Sequence, residues 1–441
     1  MDNTLSSTIN LEQQDDSTLS RIHWRIILTA GMGFFTDAYD LFVIGVVTSL
    51  LTIQWHLTLT QLALLNGASL LAAAFGAIFF GTLADKFGRK KMYGYEIFIL
   101  FWGALFSAIV PNYTILLITR IIMGFGIGGD YPSSAVVASE YAHKRNRGFV
   151  VLLVFAMQAV GLMVGPSIAA LLLSVDIPYD IAWRVLLALG AIPAAVAYYL
   201  RRRISETPHF RKIKELPLES SHIVHDLAEP DETPAIVQPI HRLWDRKWLQ
   251  YLIATSLCWF ILDVAFYGNS VSSLMIFKYI DPNASIAKHC LLSAGIFFCF
   301  AFPGYLMAAK FVDIIGRKLL QLFGFCMMGA CFIIMAIYNF SETNFIAFIA
   351  LFGMSFFFVN FGPNTTTFLI PSEIFPTAIR AVSHGISAAV GKLGAFVGVF
   401  FMPILLHYYG LNQILLFLGS ICILGALLTL LLPEMKQQQL E

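Results

Sequence analysis

Six ionisable side chains stand inside long apolar runs: Asp37, Asp40, Arg120, Asp130, Asp263 and Lys392. A charge at the centre of a bilayer costs about 3 kcal/mol on insertion scales, so each residue marks a place where charge is held or moved. Lysine can neutralise an anion, and a carboxyl group can load and release a proton. Asp37 and Asp40 are three residues apart and share a helical face. Trp259, Asp263 and Tyr267 are spaced i, i+4, i+8 and form one polar and aromatic stripe. Gln158 and Asn364 add uncharged donors and acceptors, and Tyr131 adjoins Asp130. Four carboxylates against two cations leave two negative charges if all are ionised, which repels an anion. Burial favours the neutral form of a carboxyl group. Once protons are loaded, the surroundings of Lys392 become neutral or positive and an anion can bind there. Proton loading and anion binding then favour each other, and such linkage is reciprocal. Simpler roles exist for the same residues: a single Asp can hydrogen-bond a neighbouring helix, and Trp259 can pack.

The elements that must position these groups follow from composition. Of 441 residues, 58% are hydrophobic and 12% charged, about half the charge of an average soluble protein. Mean hydropathy is +0.75. So little charge cannot cover a soluble globule, which excludes a cytosolic enzyme and a disordered chain. The net charge of +1 gives no bulk attraction to nucleic acid. Six cysteines without CxxC or Cys/His ligand spacing support neither a disulfide framework nor a metal site. No nucleophile–base set appears, so no enzymatic activity and no cofactor are expected.

A membrane-crossing helix needs about 20 apolar residues. Such runs occur near 24–51, 61–84, 92–110, 113–139, 148–175 and 182–200, and again near 248–276, 288–312, 318–338, 344–372, 379–406 and 411–433. The expected fold is therefore an all-α membrane protein of 12 transmembrane helices in two six-helix, pseudo-symmetric halves. Residues 1–20 are expected to be a disordered cytoplasmic tail, 21–200 the first half, 201–247 a cytoplasmic linker, 248–433 the second half and 434–441 a cytoplasmic tail. Depth estimates at about 1.5 Å per residue put Asp263 about 22 Å and Lys392 about 18 Å into their spans, near the midplane. Glu96, Glu140 and Glu373 lie close enough to the cytoplasmic ends to be expected in water.

Positive charge sets the orientation. With the N-terminus inside, 23 of the 28 Lys and Arg residues fall in cytoplasmic segments, against Arg184, Lys278 and Lys288 outside. Both termini are predicted to be cytoplasmic.

Two patterns occur twice. Asp85-Lys-Phe-Gly-Arg89-Lys90 returns as Asp313-Ile-Ile-Gly-Arg317-Lys318, and Glu140 with Arg147 returns as Glu373 with Arg380. Each copy falls at the matching cytoplasmic loop of its half, so the halves are repeats, as in transporters that bind substrate between them. These acid–base residues at helix ends are expected to latch neighbouring helices, a gating role. Gly81-Thr-Leu-Ala-Asp-Lys-Phe-Gly-Arg-Lys-Lys91 and Arg120-Ile-Ile-Met-Gly-Phe-Gly126 resemble the loop 2–3 and fourth-helix signatures of the major facilitator superfamily, over about residues 21–435.

A closer resemblance is carried by Gly33-Phe-Phe-Thr-Asp-Ala-Tyr-Asp-Leu-Phe42, Gly128-Gly-Asp-Tyr-Pro132 and Trp259-Phe-Ile-Leu-Asp-Val-Ala-Phe-Tyr-Gly268. Asn364 before Pro371-Ser-Glu-Ile-Phe-Pro-Thr377, and His384 to Lys392, fit the tenth and eleventh helices. Together these segments resemble the phosphate:proton symporters of that superfamily. The resemblance implies that Tyr131, Gln158, Trp259, Asp263, Tyr267, Asn364 and Lys392 bind phosphate and that Asp37, Asp40 and Asp130 carry protons. It implies inorganic phosphate, protons and membrane lipid as partners, a proton gradient in place of a cofactor, a functional monomer, and a plasma or bacterial inner membrane. Ser133 after Tyr-Pro and Asn269-Ser270-Val271 after Tyr-Gly depart from the pattern. The alternatives are a proton-coupled sugar or organic-anion porter, or a transporter-like nutrient sensor. The first leaves Lys392 among four Asp unexplained, and the second lacks a large cytoplasmic extension.

Overall fold

A computed structural model describes residues 21–87, 89–141, 147–202, 245–340 and 344–436. The expected tail over 1–20 and most of the expected linker lie outside the described residues. Among those residues, 12 helices are long and apolar enough to cross a membrane. In chain order they are α1 (Arg21–Trp55), α2 (Leu59–Phe87), α3 (Arg89–Ile109), α4 (Tyr113–Tyr141), α5 (Arg147–Ser174) and α6 (Tyr179–Arg202), then α7 (Arg246–Val271), α8 (Ile286–Ile315), α9 (Arg317–Ile337), α10 (Phe345–Ile374), α11 (Thr377–Tyr409) and α12 (Leu411–Thr429). Helices dominate because backbone groups in hydrocarbon must bond within their own segment. Large apolar side chains such as Ile109, Leu291, Phe298 and Ile346 remain exposed on the outside, as a lipid-facing surface requires.

The packing repeats between the halves. In the first, α1 packs on α5, α2 on α4 and α3 on α6; in the second, α7 packs on α11, α8 on α10 and α9 on α12. The halves meet through two equivalent pairs, α2 with α11 and α5 with α8. The duplicated loop patterns thus report a structural duplication.

Three irregularities shape the second half. Helix α10 breaks at Gly362, which has φ −117° and ψ −103°, and restarts at Pro363. The carbonyl of Gly362 is taken up by the Thr365 and Thr366 hydroxyls at 2.8 and 3.0 Å. Helix α8 contains a π-turn over Phe297–Ala301, a feature frequent at functional sites. Helix α7 turns at Ser272 and continues as a short helix over Ser273–Ile280. Against α7, α11 presents Gly394 and Gly398, where a β-carbon would collide with the carbonyls of Phe260 and Val264. This small-residue seam brings the Lys392 backbone close enough for its side chain to reach Asp263.

Candidate functional site

Two of the ionisable residues, Asp263 and Lys392, meet at the interface of the halves, and the others pair or lie buried within the first half. Lys392 Nζ donates to Tyr267 Oη at 2.9 Å and to Asp263 Oδ2 at 3.3 Å. The ammonium lies 4.2 Å from the centroid of the Tyr131 ring and 4.4 Å from that of Tyr267, so two aromatic faces share its charge. Tyr267 Oη also accepts from Gln158 Nε2 at 3.4 Å and lies 3.1 Å from Tyr131 Oη. Tyr305 Oη donates to Gln158 Oε1 at 2.8 Å and accepts from Asn364 Nδ2 at 2.6 Å. One hydrogen-bonded chain therefore runs from α4 and α5 of the first half to α7, α8, α10 and α11 of the second. Every member is buried. Trp259 is buried beside it, its ring 6.2 Å from that of Tyr131.

Six of the seven residues singled out for anion binding belong to this network, and Trp259 packs against it. Tyr305 is an added member. A tyrosine in an apolar span carries no charge signal, and the hint was local: Pro303-Gly304 interrupt the eighth span just before it. Lys392, with its hydroxyl and amide neighbours, offers one cation and several hydrogen-bond donors, and Asp263 Oδ1 has no hydrogen-bond partner. Such a set can hold an oxyanion: the ammonium neutralises it, the donors meet its oxygens, and Asp263 can accept from a protonated oxygen.

The carboxylates of the first half are arranged differently from one another. Asp40 accepts from Arg120 Nη1 at 2.6 Å. Asp130 receives Arg201 Nη2, 2.7 Å from both carboxylate oxygens, and the Ser134 hydroxyl at 2.6 Å. Asp37 is buried and neither of its oxygens has a hydrogen-bond partner. Two expectations are corrected here. Glu96 is fully buried and accepts from Ser133 at 3.0 Å, because α3 and α4 pack closely there. Arg201, counted with the cytoplasmic linker, is a buried residue in the last turn of α6. Apart from the Arg317 cluster described below, five buried acids among the described residues, Asp37, Asp40, Glu96, Asp130 and Asp263, then face three buried cations, Arg120, Arg201 and Lys392. Each cation has one acid as its nearest partner, Glu96 shares Arg201 with Asp130 at 3.9 Å, and Asp37 is left without an ion pair or hydrogen bond.

Nearer the other ends of these helices lies a second cluster. Arg317 forms a fork on Glu373, 2.9 Å from each oxygen, and reaches Asp313 at 2.8 Å. Glu373, expected in water, is buried because Arg317 covers it. Asp313 also accepts from the backbone N–H of Phe149 at 2.9 Å, which ties α8 of the second half to the first turn of α5 in the first. Arg147 is buried in the same cluster, facing Glu373, Asp313 and Arg317. Arg380 donates to the Phe375 carbonyl at 3.0 Å. Gly316, at φ +106°, makes the turn that lets Arg317 follow α8 directly. Glu434, which the sequence did not single out, caps α9 through the N–H groups of Arg317 and Lys318 at 2.9 and 3.0 Å. The side chains of Asp85, Arg89 and Glu140 lie outside the described residues.

Between the central network and this cluster lies an aromatic layer. Phe155 of α5 and Phe368 of α10 stack at 4.5 Å, and Phe34 of α1 meets their edges at 5.1 and 5.3 Å. Along α5 the order is Phe149, Phe155, Gln158, and along α10 it is Glu373, Phe368, Asn364. The layer therefore separates the two polar regions within the interface. Among the described residues, no group of three or more His, Cys, Asp or Glu could hold a metal ion.

Comparison with known proteins agrees with this architecture. A family model described as "Sugar (and other) transporter" matches residues 26–441. Inorganic phosphate transporter 1-4 of Arabidopsis thaliana is 36% identical over 95% of this chain and 92% of its own length. Inorganic phosphate transporter 1-1 of Oryza sativa subsp. japonica is 35% identical over 98% and 95%, respectively. Low affinity inorganic phosphate transporter 1 of Petunia hybrida is 35% identical over 95% and 92%. Among solved structures, the proton:xylose symporter XylE bound to 6-bromo-6-deoxy-D-glucose superposes with a TM-score of 0.78, covering 95% of this chain and 97% of that one. Its 18% identity makes this a likeness of fold alone.

Proposed function

Because the chain belongs to the inorganic phosphate transporter family of the major facilitator superfamily, we propose that it carries inorganic phosphate together with protons across a membrane by alternating access. It is a transporter rather than an enzyme. The observation that carries the reading is the buried network around Lys392, because it is assembled from both halves. A ligand held there is bonded by both halves at once, as a carrier that rocks one half against the other requires.

In this reading Lys392 neutralises dihydrogen phosphate. Tyr131, Gln158, Trp259, Tyr267 and Asn364 donate hydrogen bonds to it, and Asp263 accepts from its hydroxyl. Asp37, Asp40 and Asp130 line the proton route. Asp313, Arg317, Glu373, Arg147 and Arg380 form the gate opposite the aromatic layer, with Asp85, Arg89 and Glu140 its counterparts in the first half. The halves, expected over 21–200 and 248–433, run on to Arg202 and begin again at Arg246, joined by a linker and flanked by short tails. The protein works as a lipid-embedded monomer in a plasma or bacterial inner membrane.

The test is uptake of radiolabelled phosphate into proteoliposomes with and without an inward proton gradient. The gradient is expected to stimulate uptake, arsenate to compete and glucose not to. Competition by glucose without arsenate would replace the anion reading by a sugar porter.

The charge asymmetry, with the buried Arg147, Arg201, Arg317 and Arg380 left out, leaves 19 cations on the side of the termini against three on the other, which supports a cytoplasmic position for both termini. A cysteine introduced at Ser221 is expected to react with an impermeant thiol reagent in inverted vesicles and not in intact cells. Labelling in intact cells would reverse the orientation.

A further inference from the structure

Arg201 has no part in the phosphate site, yet it is the most heavily engaged cation in the first half. Its side chain is buried. Nη2 bonds both oxygens of Asp130, Nη1 donates to the Tyr93 carbonyl at 3.1 Å, and the guanidinium lies 3.7 Å from the centroid of the Tyr93 ring. Glu96 Oε2 is 3.9 Å from Nη1. The pair thus joins α3, α4 and α6. It also presses on α1: a β-carbon at Gly33 would collide with both Arg201 Nη2 and Asp130 Oδ2. Gly33 leaves room for the pair, Phe34 beside it belongs to the aromatic layer, and Asp37 follows one helical turn later.

We infer that Arg201 is a positioning residue for proton coupling, holding Asp130 as a fixed anion against Gly33 so that Asp37 is the carboxyl of α1 that loads the proton. The inference rests on the proton-coupled reading above. The titratable and charged groups facing Arg201 are Asp130 on α4 and Tyr93 and Glu96 on α3. Asp37 on α1 lies within their electrostatic reach, with Asp40 one turn further. With Arg201 present, these carboxylates share one cation that cannot be deprotonated. Without it, three buried acids remain together, and they must take up protons to stay buried. Proton occupancy would then no longer follow the external pH. A lysine keeps the charge but loses the ring stacking and the guanidinium geometry.

The experiment compares wild type, Arg201→Gln, Arg201→Lys and the double variant Arg201→Gln/Asp130→Asn in proteoliposomes. Phosphate binding in detergent, phosphate exchange without a gradient, and the pH profile of gradient-driven uptake are measured for each. Arg201→Gln is expected to bind phosphate within about threefold of wild type, because the Lys392 network is untouched, and to lose gradient-driven uptake by at least about tenfold with a flattened pH profile. Arg201→Lys is expected to keep a pH-dependent profile at reduced rate. The double variant, which removes the anion with the cation, is expected to regain pH response relative to Arg201→Gln. If Arg201→Gln proves unstable, the Lys and double variants carry the test. A wild-type rate and pH profile in Arg201→Gln, or a flat profile in both Arg201→Lys and the double variant, overturns the inference. Wild-type protein that shows no proton-stimulated phosphate uptake overturns the underlying reading instead.

Discussion

Alanine in place of Lys392 is expected to abolish phosphate binding. Arg120 and Arg201 are occupied by Asp40 and Asp130, so Lys392 is the cation available to the network that spans the two halves. Removing it leaves an incoming anion to share a buried space with Asp263. Truncating one partner of a buried charge pair costs about 2–5 kcal/mol, so affinity should fall by at least about thirtyfold. Arginine should restore binding only in part. Its fork is larger than an ammonium, and the Tyr131 and Tyr267 rings close around the smaller group. A double variant, Lys392→Ala with Asp263→Asn, removes the orphaned carboxylate; it should fold and still not bind. Titration calorimetry of the purified proteins reads the outcome, and wild-type affinity in Lys392→Ala would place the anion elsewhere.

Asparagine at Asp37 is expected to separate binding from coupling. Asp37 is buried with neither oxygen bonded, so an amide of nearly the same size reproduces its protonated form without breaking an ion pair. Phosphate should bind as tightly as in wild type, since the Lys392 network is unchanged, and gradient-free exchange should continue. Gradient-driven uptake should fall by about tenfold or more and become insensitive to external pH, whereas wild-type uptake rises as external pH falls. Asp130→Asn differs, because it strands the Arg201 guanidinium and should impair the protein more broadly. Wild-type uptake with an intact pH response in Asp37→Asn would remove that carboxyl from the proton route.

Much of this was legible before any coordinates. The span count follows from run length, because the bilayer fixes the length of a helix and forbids open backbone. The pseudo-symmetry was visible in D-x-x-G-R-K occurring twice. The central residues could be found because ionisable groups in apolar spans are too costly to be incidental. What could not be read was partnership. Lys392 had two possible counter-charges, Asp263 or a bound anion, and only packing of α11 on α7 supplies the first. Arg201 stands at the end of a span, where spacing cannot distinguish a residue facing water from one folded back into the bundle. Glu96 and Glu373 failed for the related reason that depth along a helix says nothing about what covers it. Tyr305 lies one turn after the π-turn of α8, a backbone register shift that hydropathy does not record.

The Phe34–Phe155–Phe368 stack has an electrical consequence. Protons cross a protein along connected water or polar groups, and a constriction lined by aromatic rings dewets and breaks such a wire. With the layer closed, packed rings stand between the ion cluster and the Lys392 network and interrupt a water path between them. The chain can therefore keep carboxylates buried near the midplane without short-circuiting the gradient that drives it. Each half supplies part of the insulation, Phe34 and Phe155 from one and Phe368 from the other, so the resistance falls only when the halves part. Current is then bound to the conformational cycle, and charge crosses as counted parcels rather than as a leak.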